Sequence, residues 1–174
     1  MGRMAQEQHW DGGRSTKGAG GRMDARTFVT YMLGVSHDRL REAVDGVSET
    51  DARRVLAGRL TPIIWQVGHL ALVDGIYVRR AGGDSPVPAR YAELFKQGSG
   101  GEQDYPPLPE VWNVFGTTHR ALIDRAGGAD YQAAVDAPSY KTVGEMLMYS
   151  SYHRGYHIGK IMTLRSLLGK AVVR

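Results

Sequence analysis

The chain of 174 residues contains no cysteine. Disulfide bonds, thiolate metal ligands and a cysteine nucleophile are therefore excluded, and any thiol chemistry needs a small-molecule thiol from outside the protein. The sequence also lacks a run of 18 apolar residues, as a membrane-spanning helix requires, and its first residues lack the apolar stretch of a secretory signal. We therefore expect a cytoplasmic protein without a membrane partner.

A strong excess of positive charge is lacking outside the N-terminal tail. The net charge is +4, and residues 1–26 contribute +2 of it through five basic and three acidic side chains. In the rest of the chain the basic residues are interleaved with acids or scattered over several segments. Because nucleic-acid binding needs a contiguous basic face, we expect no nucleic-acid partner.

Apolar side chains are almost missing from residues 1–22, which include six glycines. Such a composition does not offset the entropy lost on ordering a chain. We predict that residues 1–22 form a disordered tail, or an extension that results from the choice of start site. Residues 23–174 are expected to form a single helical domain.

Helical periodicity dominates those residues, because apolar positions recur at steps of three and four. The predicted long helices cover residues 24–45, 62–81, 109–126 and 142–168. Asp24 is expected to cap the first of them, and short helical turns are expected within residues 48–60 and 89–96. With no convincing strand pattern, the sequence predicts an all-α fold, a four-helix bundle with a long crossover connection.

The long connection, residues 82–109, contains five prolines and five glycines. An irregular segment of this length in a compact domain is often functional, which makes it a candidate lid or pocket wall. The alternative is a plain crossover between distant ends of the bundle.

Three histidines on two predicted helices form the main candidate site. His69 lies in Trp65-Gln66-Val67-Gly68-His69-Leu70, whereas His153 and His157 lie four residues apart near the end of the chain. Residues four apart share one helix face with Cβ atoms about 5–6 Å apart, and all three histidines fall on apolar stripes. A buried imidazole needs a hydrogen-bond partner or a metal. We predict one divalent metal site at His69, His153 and His157; the alternative for each histidine alone is a hydrogen-bonded core residue.

The segments around these histidines resemble the two signature segments of the DinB-like, or YfiT-like, metal-binding four-helix bundles. The resemblance extends over residues 24–170. It implies that the three aligned histidines bind a divalent metal, usually zinc or nickel, and that the protein pairs as a homodimer. Members of the superfamily include thiol-dependent transferases, mycothiol-dependent isomerases and hydrolases. The resemblance thus implies a metal-dependent enzyme with a small-molecule substrate and an exogenous low-molecular-weight thiol.

The ligand set bears on the expected chemistry. Some mycothiol-dependent relatives replace one histidine of the last-helix pair with glutamate, whereas this chain keeps three neutral imidazoles. A dication with such ligands lowers the pKa of a water bound at its open position, or binds a thiolate there strongly. Both hydrolysis and thiol transfer are therefore available. The alternative is a non-enzymatic, metal-stabilised binding or stress-response bundle, with His119 as a fourth ligand that closes the site.

No general base is evident in the sequence. Glu145 lies about 80° around its helix from His153, and Asp74 lies about 140° from His69, so neither falls on the inward stripe. His119 does fall on an inward stripe, as a candidate proton carrier or metal-supporting residue, or as a core histidine bonded to a carbonyl. His37 is a weaker candidate of the same kind. Three tyrosines near the histidine pair are candidate ligand contacts or ordinary packing residues: Tyr149, Tyr152 and Tyr156.

Overall fold

The computed structural model describes residues 23–58 and 60–170. The helices, in chain order, are α1 Ala25–Val44, α2 Glu49–Arg53, α3 Ile63–Arg80, α4 Tyr91–Leu94, α5 Leu108–Gly128 and α6 Val143–Leu167. The predicted all-α fold is confirmed, with four long helices and two short ones at the expected places. The tail predicted over residues 1–22 lies outside the described residues. Within residues 23–58 and 60–170, no helix is long and apolar enough to cross a membrane.

The four long helices form a ring in which each packs mainly against two others. α1 packs against α5 and α6, and α3 also packs against α5 and α6. α1 and α3 therefore lie on one diagonal of the bundle, and the residues between α3 and α5 form the long connection. The contact between α3 and α6 fixes the position of the candidate site, because these two helices carry the three candidate histidines.

Side chains cap the N-termini of α1 and α6, and the first of these caps, Asp24, is predicted by the sequence. The Asp24 carboxylate accepts a hydrogen bond of 2.7 Å from the backbone N–H of Thr27 and begins α1. At the start of α6, the Thr142 hydroxyl accepts a hydrogen bond from the N–H of Glu145, whose carboxylate accepts one from the N–H of Lys141. These side chains satisfy N–H groups that have no partner within a helix.

A short β-hairpin precedes α6, and the sequence does not predict it. Strands β1 Ala134–Ala137 and β2 Tyr140–Thr142 pair antiparallel across a two-residue turn. Their side chains alternate only between exposed and half-buried positions, so no apolar alternation distinguishes them from a loop. The expectation of no strand is wrong here, although the helical fold class is unchanged.

A layer of buried polar side chains divides the apolar core into two clusters. One cluster surrounds Phe95 and Phe115, and the other surrounds Leu33 and Leu122. Each long helix contributes to the polar layer between them, which consists of Ser36, Asp74, His119, Ser150 and Arg154. Buried polar groups are costly unless they are hydrogen-bonded to one another, so this layer constrains how the helices align.

Arg154 is the centre of the polar layer and is fully buried. Its guanidinium donates to the Asp74 carboxylate from Nε at 3.0 Å and from Nη2 at 2.7 Å, and it also reaches Leu33 O and Ser36 Oγ of α1. Asp74 is buried as well, so the expectation that it lies off the buried surface is wrong. α3 is buried around almost its whole circumference, and a residue 140° from His69 therefore faces a second interior surface.

Candidate metal centre

The three candidate histidines meet between α3 and α6. One potential ligand nitrogen from each of His69, His153 and His157 lies within 4.8 Å of the others. The Nε2 atoms of His153 and His157 are 3.1 Å apart. Two nitrogens bound to one tetrahedral zinc ion at about 2.0–2.1 Å would be about 3.3 Å apart, so the spacing fits a shared ion. His69 and His157 are buried, and His153 is half-buried.

The orientation of His69 is set by the long connection. Its Nδ1 lies 2.7 Å from the backbone carbonyl of Phe95. A carbonyl only accepts hydrogen bonds, so Nδ1 carries the proton and Nε2 carries the free lone pair. Gly68 permits this approach, because a Cβ at that position would lie 2.3 Å from the Phe95 ring. The Trp65 indole stacks on the His69 ring, with centroids 4.6 Å apart.

The orientation of His157, on α6, is set by Gln66 of α3. Its Nδ1 lies 2.5 Å from Oε1 of Gln66, whose amide nitrogen donates to the hydroxyl and the carbonyl of Thr61. Because the Thr61 carbonyl only accepts, the Gln66 amide nitrogen must face Thr61 and its oxygen must face His157. His157 therefore keeps its proton on Nδ1 and its lone pair on Nε2. Hydrogen bonds of this kind orient metal-binding imidazoles.

His153 is the least constrained of the three. Its Nδ1 is buried and has no hydrogen-bond partner within the described residues. Its Nε2 faces the Nε2 lone pair of His157, so the two nitrogens either share a proton or share a cation. A divalent ion between them would satisfy both lone pairs together with that of His69. The donor set and its geometry therefore fit a metal, and the cluster is compatible with metal binding.

Burial keeps these imidazoles neutral at physiological pH. The pKa of His157 is lowered to about 3 and that of His153 to about 4, mainly by burial, with a smaller contribution from neighbouring histidines and positive charges. Burial also lowers the pKa of His69, against the opposing effect of its hydrogen bond to Phe95. Neutral histidine is the form that binds metals, so protons do not compete for these nitrogens near pH 7.

A cavity of about 420 Å³ opens onto the histidines. Its walls include the rings of Trp65, Tyr149, Tyr152 and Tyr156, together with the side chain of Lys160. Gln97 and Gly98 of the long connection line it too, so that segment is both a crossover and a pocket wall. The three tyrosines are largely exposed, which places them at the rim rather than in the core.

His119 belongs to the polar layer and not to the histidine cluster. Its Nδ1 accepts a hydrogen bond of 3.1 Å from Arg154, and its ring stacks on that of His37 at 4.3 Å. The predicted role of fourth metal ligand does not match this position. The alternative of a hydrogen-bonded core histidine does, with the Arg154 guanidinium as the partner in place of a carbonyl. The role of proton carrier or metal-supporting residue stays a prediction. Burial lowers the pKa of His119 to about 2, and the Arg154 charge contributes. His119 is therefore a neutral acceptor for a buried guanidinium.

Comparison with known families agrees with this arrangement. The profile of the DinB superfamily matches residues 32–161, about three quarters of the chain, and includes all three histidines. The chain belongs to the DinB superfamily. The resemblance recognised in the two histidine segments is therefore confirmed. No curated protein matches the chain significantly.

Three contributions to this DinB-superfamily site were not predicted. Gln66 precedes His69 by three residues and Lys160 follows His157 by three, so helical spacing alone places both beside the histidines. That signal is present in the sequence. The Phe95 carbonyl has no such signal, because every residue has a carbonyl and only the path of the connection selects this one.

Proposed function

We propose that His69, His153 and His157 bind one divalent metal ion, zinc or nickel, and that the protein is a metal-dependent enzyme. The proposed reaction is transfer of an exogenous low-molecular-weight thiol to an electrophilic small molecule. The observation that carries the proposal is the convergence of three neutral imidazoles at the base of an open cavity. When bound, the metal would supply Lewis acidity, which increases the acidity of a thiol or water at its open position.

The composition of the cluster supports an open site over a structural clamp. Structural zinc sites usually have four protein ligands, whereas the group found among the described residues has three. Among the described residues, no aspartate or glutamate lines the cavity. Three neutral ligands leave the charge of a dication uncompensated, and this favours an anionic sulfur or oxygen at the remaining position.

The chain's own residues define the environment of the reaction. Hydrogen bonds donated to the Phe95 and Gln66 oxygens hold two of the imidazoles, and Trp65 closes one side of the cavity by stacking on His69. Such preorientation reduces the cost of aligning the reactants. In the transfer, the thiol gives its proton to solvent water in the open cavity. Its sulfur forms a bond to the electrophilic carbon while the bond from that carbon to the leaving group breaks, and the leaving group departs with the electron pair.

The first experiment measures metal content. Untagged protein purified without chelator is expected to carry close to one metal ion per chain by elemental analysis. His69→Ala and His153→Ala should lose it, because two imidazoles hold a divalent ion much more weakly than three. His119→Gln is the matched control, since His119 is a buried histidine outside the cluster. A wild type that binds no metal even after reconstitution contradicts the proposal.

The second experiment separates the possible activities. Metal-loaded protein is mixed with glutathione, mycothiol or bacillithiol and a chromogenic alkylating reagent. Conjugation well above the rate of the His153→Ala variant supports thiol transfer. Ester or amide hydrolysis without a thiol would instead support the hydrolase alternative. A metal that has four protein ligands and no exchangeable position would support the non-enzymatic, metal-stabilised bundle.

A further inference from the structure

Among the described residues, the wall of the metal-centre cavity carries a single positive side chain, that of Lys160. We propose that Lys160 binds the carboxylate of an anionic thiol, so that the co-substrate is held by its sulfur at the metal and by its carboxylate at Lys160. This inference rests on the proposed function and specifies the chemical class of the thiol. Its basis is the position of Lys160, the charges around it and a second cavity.

Lys160 lies on the same side of α6 as the histidines, because it follows His157 by three residues. Its ammonium group lies 4.4 Å from the centroid of the Tyr156 ring, a cation–π contact. Tyr156 and Lys160 both line the cavity that opens onto the metal centre. The aromatic contact therefore holds the charge at the cavity wall without neutralising it.

No anionic side chain of the described residues compensates the Lys160 charge. Lys160 forms no ion pair with any residue in ranges 23–58 and 60–170. The residues that line the cavity include no carboxylate within those ranges either. The cavity is therefore complementary to an anion.

A second cavity of about 440 Å³ adjoins the first and gives the anion room. The two cavities share Thr61, Tyr156 and Lys160, so Lys160 stands between them. The second cavity is also lined by Leu60, Leu164 and Thr163. A molecule with its sulfur in the first cavity can thus place its carboxylate at Lys160 and extend its remaining atoms along the second.

The test compares two thiols of similar size that differ in charge: 3-mercaptopropionate, which carries a carboxylate, and 3-mercapto-1-propanol, which carries a hydroxyl. Their binding to cobalt-substituted protein is followed by the sulfur-to-cobalt absorption band, which needs no catalytic activity. The variants are Lys160→Gln and, as a charge-matched control, Lys141→Gln on β2, which lies outside both cavities. The quantity compared is the ratio of the two dissociation constants, because the dication attracts the carboxylate in every variant.

We expect the preference for 3-mercaptopropionate to fall about five- to tenfold in Lys160→Gln, which is the size of one charge-assisted contact. The preference should stay unchanged in Lys141→Gln. Affinity for the neutral thiol should be the same in all three proteins. High salt should reduce the Lys160-dependent part. An equal ratio in wild type and Lys160→Gln overturns the role of Lys160 but leaves the proposed function intact. Failure of cobalt to bind at all overturns both.

Discussion

At the scale of single residues, the candidate metal centre depends on groups that do not belong to the histidine cluster. The Phe95 carbonyl and the Gln66 amide oxygen each accept a hydrogen bond from Nδ1 of one imidazole, and this leaves both Nε2 lone pairs facing the cavity. Gly68 makes the first contact possible, because it lets the Phe95 ring lie directly against α3. Gly68 thus supports the histidine that follows it in the chain. Gln66 of the same segment supports His157, which lies on α6.

Gly68→Ala is expected to disturb this contact. The added methyl group would overlap the fully buried Phe95 ring, which has little room to move. We expect a loss of about 1–3 kcal/mol in the free energy of unfolding, typical of overpacking. Metal affinity should also fall about tenfold, because the Phe95 carbonyl would shift away from His69. Denaturant unfolding of the metal-free protein and competition with a chromophoric chelator measure the two effects.

Gly155→Ala is the matched control for that substitution. Gly155 lies between His153 and His157, but a Cβ there would meet nothing within 4 Å. Alanine is the better helix former by about 1 kcal/mol, so unfolding stability should stay the same or rise slightly. Metal affinity should not change. Similar losses in both variants would argue against the role of Phe95.

Gln66→Leu is expected to weaken metal binding by about 10–100-fold, because it removes the acceptor that orients His157. Gln66→Glu keeps an acceptor oxygen and should retain most of the affinity. Chelator competition on the two variants measures the difference. If leucine and glutamate give the wild-type affinity alike, the hydrogen bond from His157 does not tune the site.

At the scale of elements, α6 serves two interior surfaces. His153 and His157 face α3 and the cavity, whereas Arg154 and Ser150 face the polar layer. The sequence predicts the first surface from its periodicity, but Arg154 lies 100° around the helix from His153 and arginine is seldom buried. Only packing against the three other long helices buries it.

The Asp74–Arg154 pair allows a test of the polar layer. Arg154→Met leaves the Asp74 carboxylate buried without its partner, which should lower the free energy of unfolding by about 3–5 kcal/mol. Asp74→Leu should cost a similar amount. The double variant should be clearly more stable than the sum of the two losses predicts, because no uncompensated charge remains. Denaturant unfolding of the metal-free proteins provides the cycle, and strict additivity would contradict the coupling.

At the scale of the whole molecule, the buried histidines make stability depend on pH. Five of the six histidines have a lowered pKa in the folded protein, with burial as the leading cause: His37, His69, His119, His153 and His157. The unfolded chain takes up protons near pH 6.5, whereas the folded chain resists protonation to lower pH. Between these limits the unfolded state binds more protons, so stability falls as pH decreases.

We therefore expect the metal-free protein to have an almost constant free energy of unfolding above about pH 7 and a declining one below pH 6.5. Each histidine that stays neutral only in the folded state contributes a slope of up to about 1.4 kcal/mol per pH unit. A slope equivalent to roughly two or three protons near pH 5 is the expected result of urea unfolding at several pH values. Constant stability between pH 7 and pH 5 would contradict it.

Assembly is a separate question at this scale. The homodimer that the resemblance implies stays a prediction, and so does the absence of a nucleic-acid partner. Sedimentation equilibrium of the full chain would measure the first, and retention on immobilised DNA at low and high salt would measure the second. A monomer at all concentrations, or salt-sensitive retention, would contradict the respective expectation.

The amino-acid sequence by itself determined the helical fold class, the bounds of the long helices and the identity of the three clustered histidines. These follow from local rules, since residues three or four apart share a helix face whatever the rest of the chain does. It also contained the signals for Gln66 and Lys160 at the same spacing.

Tertiary structure decided which surfaces of each helix are interior and which backbone groups meet the site. Three contacts illustrate this: Arg154 with Asp74, Arg154 with His119, and His69 with the Phe95 carbonyl. Each of them joins residues at least 26 positions apart. Such contacts depend on how four helices and one long connection pack together. Periodicity describes one helix at a time, and it holds no information about its neighbours.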